Sequence, residues 1–236
     1  MTAKEDYVYR VFQRVADGYD LANMRISLGA HLRWKKAAAE MLCDRLPPNP
    51  AILDIGCGTG DMLRIFSSLR RDAVLTGIDF SPNMLKLAKE NCRDINDLRL
   101  LQGNALSLPL EDESVDGVSL SFALRNMADY EEALREAARV LKPGGSLMVI
   151  DSFVPQNRLI KPFYQVYFSG IMPVLGGGIQ KQKEYRWLAR STAQFIAVDE
   201  LCELLWQADL CYVQEKHFLF GACACVVFTT PNAVSQ

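Results

Sequence analysis

The chain reads as an α/β protein built on an open, mixed sheet of seven strands, with N-terminal helices and a helical insert forming a lid over it. Three observations predict this. Short β-branched apolar runs alternate with helical patterns through the middle of the chain, a glycine-rich turn follows the first run, and only Leu219-Phe220-Gly221 separates the last two. Helical crossovers make parallel strands covered on both faces, whereas so short a connection makes an antiparallel pair.

The elements follow in order. Tyr7 to Arg45 is helical in pattern, lies outside the sheet, and supplies an N-terminal lid over about residues 1–46. Ala51 to Ile55 is the first strand, followed by a helix over Asp61 to Leu69 and a strand over Ala73 to Asp79. Pro82 to Cys92 is helical, with Ser81 as N-cap and Pro82 as first residue. Leu98 to Gln102 and Val115 to Phe122 are strands, and a helix over Asp129 to Leu141 places Leu134, Ala137, Ala138 and Leu141 on one face before Lys142-Pro143-Gly144-Gly145 ends it. Ser146 to Asp151 is the fifth strand. The alternation then stops: about 156–192 is aromatic-rich, carries Gly176-Gly177-Gly178, and reads as inserted helices. A helix over Asp199 to Ala208 and strands over Tyr212 to Phe218 and Ala222 to Thr229 complete a single domain over 1–236.

At 236 residues, half of them hydrophobic, the chain is long enough for one good-sized core. A net charge of -2 with the signs interspersed offers no field for a nucleic-acid backbone, so no nucleic-acid partner is expected. The seven cysteines and two histidines have no C-x-x-C spacing, which argues against a zinc site or a disulfide framework and for buried thiols in a reducing compartment; no metal is expected. With no apolar leader and no run of membrane-spanning length, the expected location is cytoplasmic.

The most informative segment is Asp54-Ile55-Gly56-Cys57-Gly58-Thr59-Gly60-Asp61, a buried strand running into a glycine turn that opens a helix. Ligands of open α/β sheets bind beyond the carboxyl ends of the strands, where glycines admit a cofactor to the backbone. A dinucleotide site wants its third glycine where this chain has Asp61, and an acid there repels a pyrophosphate. A sulfonium cofactor with an α-ammonium welcomes carboxylates instead. Asp54 suits that amino-acid end, Asp79 at the end of the second strand suits ribose hydroxyls, Asn104-Ala105 suits the adenine edge, and Ser121 closes the floor. Singly, each reads equally well as a cap, turn or loop residue; their joint occurrence in strand order selects the cofactor.

These motifs resemble the class I, Rossmann-like S-adenosylmethionine-dependent methyltransferases, matched by Asp54 to Asp61, Asp79-Phe80-Ser81-Pro82-Asn83-Met84-Leu85, Leu108-Pro109 and Arg139 to Gly145. Within the class the chain is similar to the menaquinone and ubiquinone biosynthesis C-methyltransferases. Val11-Phe12 with Tyr19 to Asn23, Ser27 to Lys35, Ser121 to Asn126, and Tyr185 to Ser191 carry that likeness. The resemblance implies S-adenosylmethionine as donor, S-adenosylhomocysteine as product, and methyl transfer to a ring carbon of a polyprenylated quinol, either demethylmenaquinol or a ubiquinol precursor. It assigns cofactor binding to Asp54, Gly56, Gly58, Thr59, Gly60, Asp79, Phe80, Met84, Asn104, Ala105 and Ser121. A ring carbon is a poor nucleophile until a ring hydroxyl loses its proton, so Arg125 and Asn126 would orient that hydroxyl or a water, and Tyr19 would reach in from the lid.

Phe195-Ile196-Ala197-Val198 and Ala222 to Val227 depart from the family's usual pattern, which leaves another small aromatic or lipid-like metabolite as the alternative acceptor. The run Phe163 to Phe168 with Ile171 to Leu175 is apolar almost all round, fit for a prenyl channel, peripheral contact with the inner membrane face, a homodimer face, or simple packing as a lid helix. Arg33-Trp34-Lys35-Lys36 reads as a solvated helix face or a headgroup contact, His31 as a pocket lining and His217 as structural.

Overall fold

A computed structural model describes residues 3–16, 18–177 and 182–232. Three helices come first: α1 (Ala3–Val15), α2 (Tyr19–Ser27) and α3 (Ala30–Cys43). The alternating stretch follows as β1 (Ala51–Ile55), α4 (Asp61–Leu69), β2 (Val74–Asp79), α5 (Pro82–Asn91), β3 (Leu98–Gln102), β4 (Val115–Ser121), α6 (Tyr130–Arg139) and β5 (Leu141–Ser152). Ser81 caps α5 by accepting from Met84 N at 3.3 Å, and Asp129 caps α6 by accepting from Glu132 N at 3.0 Å. The helix predicted to reach Leu141 stops at Arg139, because Leu141 already pairs with Val115 at the head of β5. The Lys142–Gly145 segment becomes an irregularity inside that strand before the register resumes at Gly117 and Ser146.

The insert contains α7 (Lys161–Val166), a π-helical turn (Tyr167–Ile171), α8 (Met172–Gly177) and α9 (Gln182–Ala193). Gly176 and Gly177 lie within α8, and Gly178 falls outside the described residues. A Cβ on Gly176 would meet the Tyr185 ring at 2.4 Å, so the missing side chain lets α8 press onto α9. The chain closes with α10 (Val198–Gln207), β6 (Cys211–Phe218) and β7 (Cys223–Thr229).

The sheet order is β3-β2-β1-β4-β5-β7-β6, with β1 to β5 parallel and β7 antiparallel to both neighbours. The hairpin expected at the end is present, but its reversed strand lies inside the edge. Cys223 to Phe228 are all buried and need a partner on each side, whereas β6 is largely exposed and serves as the edge. Alternate side chains feed two cores. Leu53, Val118, Leu147 and Val226 pack under α6 and α10, and Ile52, Met148, Ile150 and Val227 pack under α3 and α4. A third core is made by Val11, Val15, Ala22, Met172, Tyr185 and Leu188, with Met84 beneath them, so α1 and α2 pack with the insert into one layer, the lid, whereas α3, expected in that lid, packs on the sheet through Ala38, Ala39 and Leu42. Among the described residues, no helix is long and apolar enough to cross a membrane.

Candidate active site

Strand order reverses between β1 and β4, and ligand clefts of open α/β sheets form beyond the carboxyl ends of strands at such a point. Two clefts meet there, one smaller than the other, and both are lined by Tyr19, Gly56, Gly58, Ser121 and Phe122. The smaller runs along Asp79, Phe80, Met84, Asn104 and Ala105 under Glu5, Tyr9 and Phe12 of α1. The larger runs from Asp54 and Thr59 past Arg125 to His31, Tyr167, Phe168 and Tyr185 under the lid.

The glycine turn builds the junction. Gly58 has φ +55 and nothing within 4 Å of where a Cβ would stand, leaving its backbone open to a bound molecule. Asp79 accepts from Gly58 N at 2.8 Å through Oδ2 and from Ser81 N at 2.8 Å through Oδ1, which ties the turn to β2. Burial pushes Asp79 above the ordinary carboxylate range, against those backbone donors. Asp54 is 1% exposed and its Oδ1 has no partner among the described residues. Burial pushes that carboxyl up to about 7, with the charge of Lys35 opposing. Ser121 Oγ is likewise buried without a partner. Orphaned acceptors in a dry cleft are groups that a cationic, donor-rich ligand satisfies.

At the end of β4, Phe122 holds φ +55, a strained conformation for a bulky residue. Its carbonyl accepts from Arg125 Nη1 at 3.0 Å and from Asn126 Nδ2 at 3.3 Å. Arg125 also pairs with Asp151, whose side chain is fully buried at the end of β5. Burial works against the guanidinium charge, but Asp151 together with Tyr19 and Tyr164 holds Arg125 above its ordinary value. Arg125 Nε and Tyr164 Oη remain buried without partners among the described residues.

The profile of the ubiE/COQ5 methyltransferase family matches residues 1–229. The chain belongs to this family. Demethylmenaquinone methyltransferases of Listeria welshimeri and of Staphylococcus aureus (strain MRSA252) are each 38% identical to it, over 94% of this chain and over 94% and 92% of their own lengths. A solved S-adenosylmethionine-dependent methyltransferase of Thermotoga maritima has the same fold, with a TM-score of 0.61 at 23% identity over 94% of this chain and 99% of its own.

In this methyltransferase the nominated residues divide between the clefts. Gly56, Gly58, Asp79, Phe80, Met84, Asn104, Ala105 and Ser121 line the smaller one. Asp54 and Thr59 line the larger, and Thr59 Oγ1 donates to Asp20 Oδ1 at 2.7 Å, tying the glycine turn to α2. Gly60 lines neither. It has φ +91, and a Cβ there would stand 2.5 Å from Cys92 Sγ, so it serves the packing of α4 on α5. Asn104 is already engaged: Nδ2 donates to Glu5 Oε1 at 3.0 Å and Oδ1 accepts from Leu106 N at 3.1 Å. Arg125 and Asn126, expected to act together, face different clefts, Arg125 the larger and Asn126 the smaller, because the 3₁₀ turn Leu124–Asn126 separates their side chains. Tyr19 stands at both.

Arg33-Trp34-Lys35-Lys36 is not one solvated face. Lys35 is buried and bonds Asp61 Oδ2 at 3.0 Å. Burial raises Asp61, but Lys35 outweighs it and holds the carboxyl below its ordinary value. Asp61 is therefore a neutralised acid, and a weaker argument against phosphate than its sequence position suggests. His217 is a surface residue, 3.1 Å from Glu215. Cys57, Cys92, Cys202, Cys223 and Cys225 are buried as expected, while Cys211 is exposed on the edge strand. Sequence reasoning missed Asp151 and Tyr164. The acid at a strand's carboxyl end was a readable signal, whereas Tyr164 comes near Arg125 and Asp151 only through the insert's tertiary packing and lines a separate cleft with Phe168 and Arg190.

Proposed function

We propose that this methyltransferase moves the methyl group of S-adenosylmethionine to a ring carbon of a reduced, prenylated quinol, with demethylmenaquinol as head group and S-adenosylhomocysteine as product. The observation that carries the reading is the junction of the clefts: carboxylates and orphaned acceptors on one side, and on the other a buried cation with an unpartnered N–H at the mouth of an aromatic cavity. The relatives named as demethylmenaquinone methyltransferases, alike over nearly the full length, favour naphthoquinol over benzoquinol.

The donor set suits the cofactor. The smaller cleft is lined by Glu5 and Asp79 as its charged side chains, with no cation to hold a pyrophosphate, and Phe80 and Met84 provide apolar surface for a nucleoside. Asp54 would hold the α-ammonium, Asp79 the ribose, and the Gly56–Gly58 backbone would lie along the chain between them. When bound, the cofactor supplies a methyl carbon activated by a positive sulfur. Arg125 would donate to the ring oxygen as charge develops on it, and Tyr19 would close the junction against water.

Leu159, Phe163 and Val166 are 77%, 78% and 65% exposed on the outer flank of the insert, beside Arg158 and Lys161. An apolar flank with basic neighbours fits the surface of an anionic bilayer, from which a prenyl tail would be drawn under the lid. A second copy of the chain is the competing occupant.

The test is transfer of labelled methyl from S-adenosylmethionine to chemically reduced demethylmenaquinol and to benzoquinol analogues, with the product mapped to a ring carbon. Label on the naphthoquinol carbon is expected. Cofactor binding with every quinol unlabelled would overturn the quinol reading and turn the search to other aromatic acceptors.

A further inference from the structure

We infer that His31 is the group that takes the ring-hydroxyl proton of the acceptor; this rests on the quinol reading above. His31 is the second residue of α3, 7% exposed, and lines the larger cleft with Arg125. Ser27 Oγ donates to Asn23 O at 2.8 Å and lies 2.6 Å from His31 Nδ1. A hydroxyl has one proton, and a carbonyl can only accept, so that proton is spent on Asn23. With that bond made, His31 Nδ1 donates to Ser27, the tautomer that leaves Nε2 as a lone pair facing the cleft's lining.

Most of the other ionisable groups lining the cleft are unsuited to the task. Arg125 is held as a cation and has no lone pair to offer. Asp61 is bound to Lys35, and Asp54 is needed at the amino-acid end of the cofactor. Burial pushes the Cys57 thiol and the Tyr167 and Tyr185 phenols up, which makes them poor acceptors as neutral groups. Burial and the Lys35 charge instead hold His31 down, with Asp61 opposing, so the ring is neutral and ready to accept. A phenol is a much weaker acid than an imidazolium, and the lowered His31 widens that mismatch. Arg125 against the forming phenolate is the kind of neighbour that lowers a phenol by about 1–3 units, so the two residues are complementary.

His31 Nε2 takes the hydroxyl proton, and the phenolate's electrons reach the ring carbon. That carbon bonds the methyl carbon while the carbon–sulfur pair passes to sulfur. The neutral dienone holds both hydrogen and methyl on one carbon; imidazolium returns its proton to the ring oxygen as water takes the carbon's hydrogen. One proton and a neutral thioether are released with the methylated quinol.

Two measurements test this on the full chain. With the exposed His217 replaced by Gln, ¹⁵N NMR of the single remaining imidazole at mildly alkaline pH is expected to show the Nδ1–H tautomer; an Nε2–H tautomer overturns the proposal whether or not turnover is found. His31→Gln is then compared with the unsubstituted chain on demethylmenaquinol and on a ring-halogenated analogue whose hydroxyl is already ionised. A loss of about 10²–10³-fold on the first substrate, shrinking to a few-fold on the second, is expected of a lost base. Equal loss on both, or none, overturns it, with cofactor affinity by calorimetry and His31→Asn as controls on folding. Failure of the unsubstituted chain to methylate any quinol would instead sink the quinol reading.

Discussion

The floor of the site and its lid are built in opposite ways. On the floor, Asp54, Asp79 and Ser121 stand at the ends of adjacent parallel strands, so register and one glycine turn place them, Asp54 buried and the other two half-buried. In the lid, Val11 and Val15 reach Tyr185 and Leu188 across most of the length of the chain, in a core separate from those of the sheet. The floor's ion pair is dry: the Arg125 and Asp151 side chains are 11% and 0% exposed. The lid's counterpart, Arg14 with Glu184 at 3.3 Å, leaves the arginine side chain 70% exposed. The proposed donor site thus rests on strand ends with a dry ion pair, while the proposed acceptor's cover carries an ion pair left in water.

Removing one member of each ion pair breaks the comparison most directly. Arg125→Ala leaves Asp151 buried without a counter-charge, so chemical denaturation should show a loss of about 3–5 kcal/mol, together with loss of methyl transfer. Arg125→Ala with Asp151→Asn should recover much of the stability and none of the activity. Arg14→Ala should cost no more than about 1 kcal/mol. Similar losses from Arg125→Ala and Arg14→Ala would remove the distinction between a dry floor and a wet lid.

A smaller effect, confined to the floor, is expected from protons. Asp54 lies up at about 7, and it must be ionised to hold an ammonium. A proton competes below that value, so S-adenosylmethionine affinity should fall by about tenfold per pH unit as pH drops below 7, and level off above it. Binding in turn pulls the Asp54 carboxyl down. Asp54→Asn should flatten the slope and weaken binding roughly 10- to 100-fold at alkaline pH, the scale of a hydrogen bond to a charged group. Calorimetric titration across the range measures both, and an unchanged slope in the variant would place the titrating group elsewhere.

The same contrast governs what the sequence discloses. Asp61 to Leu69 and Ala51 to Ile55 were legible to the residue because strand, turn and helix signals lie side by side. The position of β7 inside the sheet was not, since it depends on which neighbours bury Cys223 to Phe228. Asp54 and Asp79 were legible as acids at strand ends. Gly60 was misplaced because its neighbour Cys92 is distant in sequence, and the local pattern makes it look like its companions Gly56 and Gly58. Lys35 was read as solvated because its partner Asp61 lies in another element. His31 acquires a tautomer only from a contact, to Ser27 one helical turn away across a bend in the chain. Residues set by register can be read from the chain; residues set by packing need the fold.

The lid's outer flank should respond least in stability and most selectively in function. Phe163 and Val166 are 78% and 65% exposed, so Phe163→Ser with Val166→Ser removes little packing, and unfolding should shift by no more than about 0.5 kcal/mol per site. If that flank rests on a bilayer, the double variant should sediment less with anionic phosphatidylglycerol vesicles and should lose turnover on long-chain quinol embedded in them. On a short-chain quinol in free solution its rate should match the unsubstituted chain, because neither side chain lines the clefts at the switch point. Equal loss on both substrates would mean that the flank props up the lid rather than meeting lipid. Unchanged vesicle binding with a change in sedimenting mass would assign the face to a second copy of the chain. The outcome separates delivery of the acceptor from its chemistry, which is the division between lid and floor stated as a rate.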